Sequence, residues 1–110
     1  MGSEDIFLGT ELKLNVSIDP IGDLSMDSYD FEIEFFTSKQ RYKKRVFKKG
    51  GKGIKKEDSN NYICCLNTTD VGSGVLVCRI VAYLPDSDFD DGLRTEIVEF
   101  NTKIEIVSKV

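Results

Sequence analysis

The chain has 110 residues and 40% apolar side chains, enough for one hydrophobic core but not for two. It contains no histidine, so the commonest general base and the commonest zinc ligand are missing, and we expect no enzymatic activity, metal site or cofactor. The formal net charge is −4, and apolar runs span only a few residues, far short of the roughly 18 that cross a bilayer, so no membrane partner is expected.

Alternating apolar and polar side chains predict two strands in the first third of the chain. Apolar residues occupy every second position of residues 12–18 and of residues 29–35, and a turn sequence with Pro20 and Gly22 separates the two runs. The polar positions of the second run are all acidic, so we expect an acidic face toward solvent. Residues 1–8 are expected to form a short N-terminal tail.

Residues 39–56 are predicted to form a basic hairpin. Residues 41–49 favour a strand, Gly50-Gly51-Lys52-Gly53 favours a reversal of the chain, and residues 54–56 favour a short returning strand.

The second half of the chain favours three more strands. In residues 62–66 apolar side chains occupy every second position, and residues 75–84 are largely apolar on both faces, as in a central strand. In residues 94–107, apolar side chains recur at even-numbered positions over a long run. About seven strands result. The predicted architecture is an all-β, antiparallel immunoglobulin-like β-sandwich that forms a single domain over residues 1–110, with a small barrel as the alternative.

The three cysteines, Cys64, Cys65 and Cys78, favour free thiols that pack as small hydrophobes. An odd number with an adjacent pair is not typical of a secreted disulfide framework. A Cys64–Cys78 bridge is the alternative.

Charge is strongly segregated along the sequence. Residues 39–56 contain ten basic residues and no acid, so the rest of the chain carries a net charge of −14. Such segregation implies a counter-charge inside or outside the molecule. The candidate partner-binding residues are Lys39, Arg41, Tyr42, Lys43, Lys44, Arg45, Phe47, Lys48, Lys49 and Lys52.

Three interpretations of this segment compete. It docks onto an acidic protein surface, which includes the acidic face of a neighbouring copy. It is a mobile, solvated hairpin. Or it binds nucleic acid, with Tyr42 and Phe47 as stacking platforms between the basic side chains.

An acidic loop resembles the start of a calcium-binding loop. Asp86, Asp88 and Asp90 stand at alternate positions, but the glycine, Gly92, comes one position late and the twelfth position is Ile97 instead of glutamate. A turn with solvated carboxylates is favoured over a weak calcium site, and Arg94 is expected to pair with Asp90 and Asp91.

Several segments resemble a family of phage proteins. Residues 83–97 match an aromatic-x-Pro-Asp-x-x-Phe-x-Asp-Gly-x-Arg-Thr-Glu pattern before a final strand, and further shared elements are residues 26–31, 55–58 and the turn over residues 66–74. The pattern is similar to that of small immunoglobulin-like virion-associated proteins of tailed phages, including crAss-like phages, and of prophages of gut Bacteroidales. The resemblance implies an immunoglobulin-like domain that is made in the host cytoplasm and built into the virion.

The combined prediction is a non-enzymatic phage structural protein, an auxiliary capsid, collar, tail or fibre-base component that docks through its basic hairpin. The expected partners are acidic surfaces of other virion proteins or neighbouring copies, with nucleic acid as the alternative partner. The alternative functions are a carbohydrate- or cell-surface-binding immunoglobulin-like module and a nucleic-acid-binding accessory protein.

Overall fold

The computed structural model describes residues 4–108, which form eight β-strands and two single-turn 3-10 helices. The strands are β1 (Glu4–Phe7), β2 (Glu11–Ser17), β3 (Asp30–Thr37), β4 (Gln40–Lys48), β5 (Ile54–Asp58), β6 (Asn61–Asn67), β7 (Gly74–Pro85) and β8 (Leu93–Val107). The 3-10 turns span Met26–Ser28, between β2 and β3, and Thr68–Asp70, between β6 and β7.

The strands form two sheets. The larger sheet has the order β1-β8-β7-β3-β4, and the smaller sheet has the order β2-β6-β5. Neighbouring strands are antiparallel, except that β1 runs parallel to β8. The predicted all-β architecture with mostly antiparallel strands is confirmed, with eight strands in place of about seven. Within residues 4–108, no helix has the length and apolar character that a membrane span requires.

Strand β1 corrects the prediction of a tail over residues 1–8. Residues 4–7 pair with residues 104–107 of β8, and half-buried Ile6 lies opposite Ile106. A strand of four residues offers too few alternating positions to be recognised from its sequence pattern. Residues 1–3 of the predicted tail lie outside the described residues.

The hydrophobic core lies between the two sheets. Strand β3 contributes Phe31, Ile33 and Phe35, each at most 2% exposed, so the predicted buried face of this strand is confirmed. The 3-10 turn before β3 adds Met26, which is fully buried. The other buried members of the core are Val16, Tyr29, Phe47, Tyr62, Cys64, Leu66, Val71, Leu76, Cys78, Ile80, Ala82, Leu84 and Ile106.

Strand β7 is the central strand of the larger sheet, as its apolar sequence predicted. It lies between β3 and β8, and its even-numbered residues from Leu76 to Leu84 face the core. On the opposite face of the sheet, Val77 and Val81 are also buried. Phe36, the cross-strand partner of Val77, is 1% exposed and extends this second apolar cluster onto β3.

The predicted basic hairpin over residues 39–56 is wrong. Strand β4 pairs with the preceding strand β3 through a two-residue turn at Ser38 and Lys39, whereas β5 pairs with β6 in the other sheet. The glycine-rich segment therefore crosses from one sheet to the other. Gly53 has φ +80°, and a Cβ there would lie 2.9 Å from Cε1 of Phe47, so this crossing needs glycine for both its backbone conformation and its close approach.

All three cysteines are free, as predicted. Cys64 and Cys78 are buried in the core, and burial raises the pKa of each thiol to about 12. Cys65 is exposed on the outer face of the smaller sheet. The two buried thiols pack as small hydrophobic side chains.

Candidate protein-docking surface

Strand β4, which carries most of the predicted partner-binding residues, is an edge strand of the larger sheet. Its register against β3 shifts between the pairs Phe35↔Arg45 and Thr37↔Gln40, so β4 has three more residues than β3 in this interval. Tyr42 lies in this bulge and is 85% exposed. Lysine side chains and bulges protect an edge strand from unwanted pairing, so part of the basic character of β4 has a structural explanation.

Four cations of residues 39–56 have carboxylate partners on other strands or turns. Nζ or guanidinium nitrogens lie within ion-pair distance of carboxylate oxygens in the pairs Arg41–Glu99 (2.9 Å), Lys44–Glu34 (3.4 Å), Lys48–Glu32 (3.9 Å) and Lys56–Asp27 (2.7 Å). The basic segment therefore obtains part of its counter-charge from the acidic face of β3, from β8 and from the turn before β3.

Lys49 stabilises the turn before β3. Its Nζ donates hydrogen bonds to the carbonyl oxygens of Met26 (3.3 Å), Asp27 (2.8 Å) and Tyr29 (2.9 Å). The side chain is half-buried and its donors are used within the fold. Lys49 is therefore a structural residue, which corrects its assignment as a partner-binding residue.

Phe47 is buried and cannot act as a stacking platform. It is 0% exposed and packs edge-to-face against Phe35, with 6.0 Å between the ring centroids. The guanidinium carbon of Arg45 lies 4.1 Å from the Phe47 centroid, so the cation covers the ring. The assignment of Phe47 to the partner-binding set is wrong because this residue belongs to the inward-facing parity of β4.

A charge network covers the outer face of the larger sheet. Arg79 of β7 lies between two carboxylates, 3.8 Å from Glu34 and 3.1 Å from Glu99, and the guanidinium carbons of Arg41 and Arg79 lie 4.5 and 5.5 Å from the Phe36 centroid. Hydrogen bonds from Arg41 and Arg79 hold the pKa of Glu99 below its ordinary value of 4.5. Glu34 is only 7% exposed, so the acidic side chains of β3 do not all face solvent as expected.

Apart from Lys49, whose donors are used by carbonyl oxygens, five cations of the segment have no carboxylate partner among the side chains that the structure describes. Together with exposed Tyr42 they form what we call the basic surface: Lys39, Tyr42, Lys43, Arg45, Lys52 and Lys55. These residues lie on β4, on β5, or on the short connections of β4, and all but Arg45 are exposed. The structure thus leaves Lys39, Tyr42, Lys43 and Lys52 of the predicted set exposed, whereas Arg45 is half-buried and lies over the ring of Phe47.

The sequence interpretation missed both Lys55 as a member of this surface and the pairing of the other cations. A signal for the pairing was present, because an acidic strand face and a basic strand follow each other with a two-residue separation. Consecutive strands of that kind place opposite charges on neighbouring strands.

The acidic loop between β7 and β8 is closed by its own hydrogen bonds. The backbone N–H of Asp86 donates to the carbonyl of Gly92 (2.9 Å), and Asp86 accepts from the N–H of Asp88 (3.0 Å) and from Arg94 (2.9 Å). Arg94 therefore pairs with Asp86 and Glu96, not with Asp90 and Asp91 as expected. Residues 4–108 contain no cluster of three carboxylate or thiol ligands arranged to hold a metal ion.

No family model, curated protein or solved structure matches this chain. The resemblance to phage virion proteins, and the setting it implies, therefore stay predictions.

Proposed function

We propose that this protein is a non-enzymatic, immunoglobulin-like structural domain of a phage virion that docks onto an acidic protein surface. The contact is made by the basic surface around strand β4. The observation that carries the proposal is a set of five cations without carboxylate partners among the described residues, together with the exposed ring of Tyr42. Two of these cations lie on edge strand β4, and the others lie on its connections and on β5. The remaining cations of β4 are neutralised within the fold.

The strand order supports the immunoglobulin-like assignment. In variable-type immunoglobulin domains, the third, penultimate and last strands share a sheet with an additional strand that follows the third. Here β3, β4, β7 and β8 lie in one sheet, and β2, β5 and β6 lie in the other. The virion as the setting comes from the resemblance of residues 26–31, 55–58 and 83–97 to phage proteins.

A protein partner is favoured over nucleic acid by the aromatic side chains. Single-stranded nucleic acid is bound by rows of exposed rings between cations. Of the two proposed stacking residues, Phe47 is buried and only Tyr42 is exposed. The carboxylates of Glu32, Glu34 and Glu99 among the cations of β4 also repel phosphate. An acidic protein surface needs neither a row of rings nor a carboxylate-free groove.

The same observation weighs against carbohydrate binding at this surface. Sugar-binding modules use exposed aromatic faces, and over the described residues 39–56 Tyr42 is the one large apolar side chain that is exposed.

The test compares two charge-reversal variants with the same change in net charge. Lys43→Glu with Lys52→Glu alters the basic surface, whereas Lys13→Glu with Lys103→Glu is the matched control on β2 and β8. The probes are immobilised poly-L-glutamate and duplex DNA at several salt concentrations. We expect the Lys43→Glu, Lys52→Glu variant to lose retention on poly-L-glutamate while the control variant keeps it. Both variants should bind DNA weakly. Equal retention of the two variants, or tighter binding of the unmodified protein to DNA than to polyglutamate, would contradict the proposal.

A further inference from the structure

At the edge of the larger sheet opposite β4, strand β8 is only partly covered by β1. Strand β1 pairs only with residues 104–107 of β8, so within residues 4–108 no strand pairs with the outward edge of residues 93–102. A bulge separates the two parts: Lys103 has φ 67°, and its N–H donates to Oδ1 of Asn101 at 2.6 Å. About ten residues of β8 therefore form this open edge, and alternate residues among them present unpaired backbone donors and acceptors.

Exposed apolar side chains line this open edge on both faces. Ile97, which pairs with Val81 on the outer face, is 61% exposed. Val98 and Phe100, which pair with core residues Ile80 and Cys78, are 56% and 44% exposed. Edge strands are normally protected by lysine, proline or covering segments, and apolar side chains on both faces of an open edge are typical of a strand that receives a partner.

A groove beside the edge offers room for partner side chains. It has a volume of about 280 Å³ and lies between β2 of the smaller sheet and β8 of the larger sheet. Its apolar lining consists of Leu14, Val16, Phe35, Cys78, Phe100 and Ile104. An added strand at β8 would direct alternate side chains toward this groove, because successive side chains of a strand point to opposite faces.

Charge favours one occupant for the edge. Residues 86–102, the acidic loop with the open part of β8, contain six carboxylates and one arginine, a formal charge of −5. Strand β4, at the opposite edge of the same sheet, contains five cations and no acid, and two of them, Lys43 and Arg45, have no carboxylate partner among the described residues. Pairing of two β8 edges would bring like charges together, whereas pairing of β8 with the β4 edge of another copy brings opposite charges together.

The strand directions allow the larger sheets of two copies to join as one antiparallel sheet. Each step from β8 through β7 and β3 to β4 is antiparallel, so β4 runs antiparallel to β8. A second copy placed beside the first without rotation would bring the regular part of its β4, residues 45–48, antiparallel to β8, with outer face beside outer face. The bulge over residues 41–44 interrupts the alternation in the rest of β4. Tyr42 is the large apolar side chain that β4 exposes toward such a neighbour.

We propose that the open edge of β8 accepts the β4 edge of a second copy of this chain, so that the larger sheets of successive copies join head to tail. The inference rests on the proposed function, because it names another copy as the acidic partner of the basic surface. A head-to-tail contact joins different surfaces of the two copies, so it produces rings or open chains and not closed dimers.

The experiment blocks each edge separately and then mixes the blocked proteins. Ile97→Lys with Val98→Lys blocks the β8 edge, and Tyr42→Asp with Lys43→Glu blocks the β4 edge. Sedimentation velocity should show assemblies larger than dimers for the unmodified protein, and self-association at least about tenfold weaker for each blocked variant. An equimolar mixture should form a heterodimer and nothing larger, because each variant keeps one intact edge. That heterodimer would also show that both variants are folded.

Specific results would overturn the proposal. Dimers formed by the β4-blocked variant alone would assign the contact to two β8 edges, and unchanged assembly of the β8-blocked variant would exclude this edge. A monomeric unmodified protein at low salt would exclude a self-contact altogether. The proposed function is measured independently, because the β8-blocked variant keeps the basic surface and should retain its binding to poly-L-glutamate.

Discussion

Removal of the Arg79 side chain tests the charge network on the outer face of the larger sheet. Arg79→Met keeps the length of the aliphatic stem but leaves Glu34, among the described residues, with Lys44 at 3.4 Å as its one neighbouring cation. The Glu34 side chain is 10% exposed and that of Arg79 is 31% exposed, so water cannot fully replace the lost charge. Matched control Arg41→Met removes a cation that is 52% exposed and pairs with the more accessible Glu99.

The expected cost follows from these distances. Two unit charges about 4 Å apart attract each other by about 4 kcal/mol at an effective dielectric constant of about 20, and desolvation offsets part of that attraction. Because the carboxylate of Glu34 remains buried after the substitution, we expect Arg79→Met to lower the free energy of unfolding by about 2–3 kcal/mol. The exposed pair broken in Arg41→Met should cost about 0.5 kcal/mol.

Urea unfolding followed by far-ultraviolet circular dichroism measures both variants, since the chain has no tryptophan for fluorescence. Adding Glu34→Met to Arg79→Met should recover about 1–2 kcal/mol, because the double variant removes the buried carboxylate that has lost one of its two cations. If Arg79→Met costs no more than Arg41→Met, or if the second substitution restores nothing, the network is not the stabilising element described above.

Three further predictions concern other parts of the fold. Gly53→Ala should lower the free energy of unfolding by about 2 kcal/mol, because position 53 combines φ +80° with a close approach to Phe47. The control Gly50→Ala has the same φ but open space around its Cβ, and it should cost about 1 kcal/mol. Equal losses of the two variants in urea unfolding would contradict the role of the Phe47 contact. One thiol, Cys65, should react rapidly with a disulfide reagent at pH 8, and Cys65→Ser should abolish that fast phase in the folded protein, since the buried thiols have pKa values of about 12. The pKa of Glu99 is lowered in the folded state, so ionised Glu99 stabilises the fold above about pH 4.5, and this contribution disappears as the pH falls through the folded pKa. Glu99→Gln should therefore be less stable than the unmodified protein at pH 7 but not at low pH. A stability difference that is independent of pH would refute this prediction.

Most strands could be predicted from local patterns. Alternation over residues 12–18, 29–35 and 94–107 predicted β2, β3 and β8, and the apolar run over residues 75–84 predicted a central strand. These predictions succeeded because the spacing of apolar residues along a single strand indicates whether one or both of its faces are buried.

The hairpin over residues 39–56 failed for a physical reason. Its glycine-rich segment has the composition of a tight turn, whereas the true β3–β4 turn at Ser38 and Lys39 contains no glycine or proline. Glycine supplies positive φ both in hairpin turns and in connections between sheets, so composition alone did not distinguish the two. The interpretation of Phe47 as exposed failed with it, because a free hairpin has no buried face.

The candidate site was partly predictable. The accumulation of ten cations without an acid in residues 39–56 is a property of the sequence, and it located the basic surface. The pairing between strands decides which of those cations are neutralised. Arg41, for example, forms an ion pair with Glu99, which lies 58 positions away in the sequence. The open edge of β8 also follows from pairing, because the length of β1 decides how much of β8 is covered.

The sequence by itself determined the class of the fold, the buried faces of its longer strands and the separation of charge between one segment and the rest of the chain. Only the tertiary structure decided which charges meet, which side chains stay exposed and which edges remain open. The physical reason is that the direction of a side chain repeats every two residues within a strand, whereas the neighbours of that strand are set by sheet order and register between distant segments.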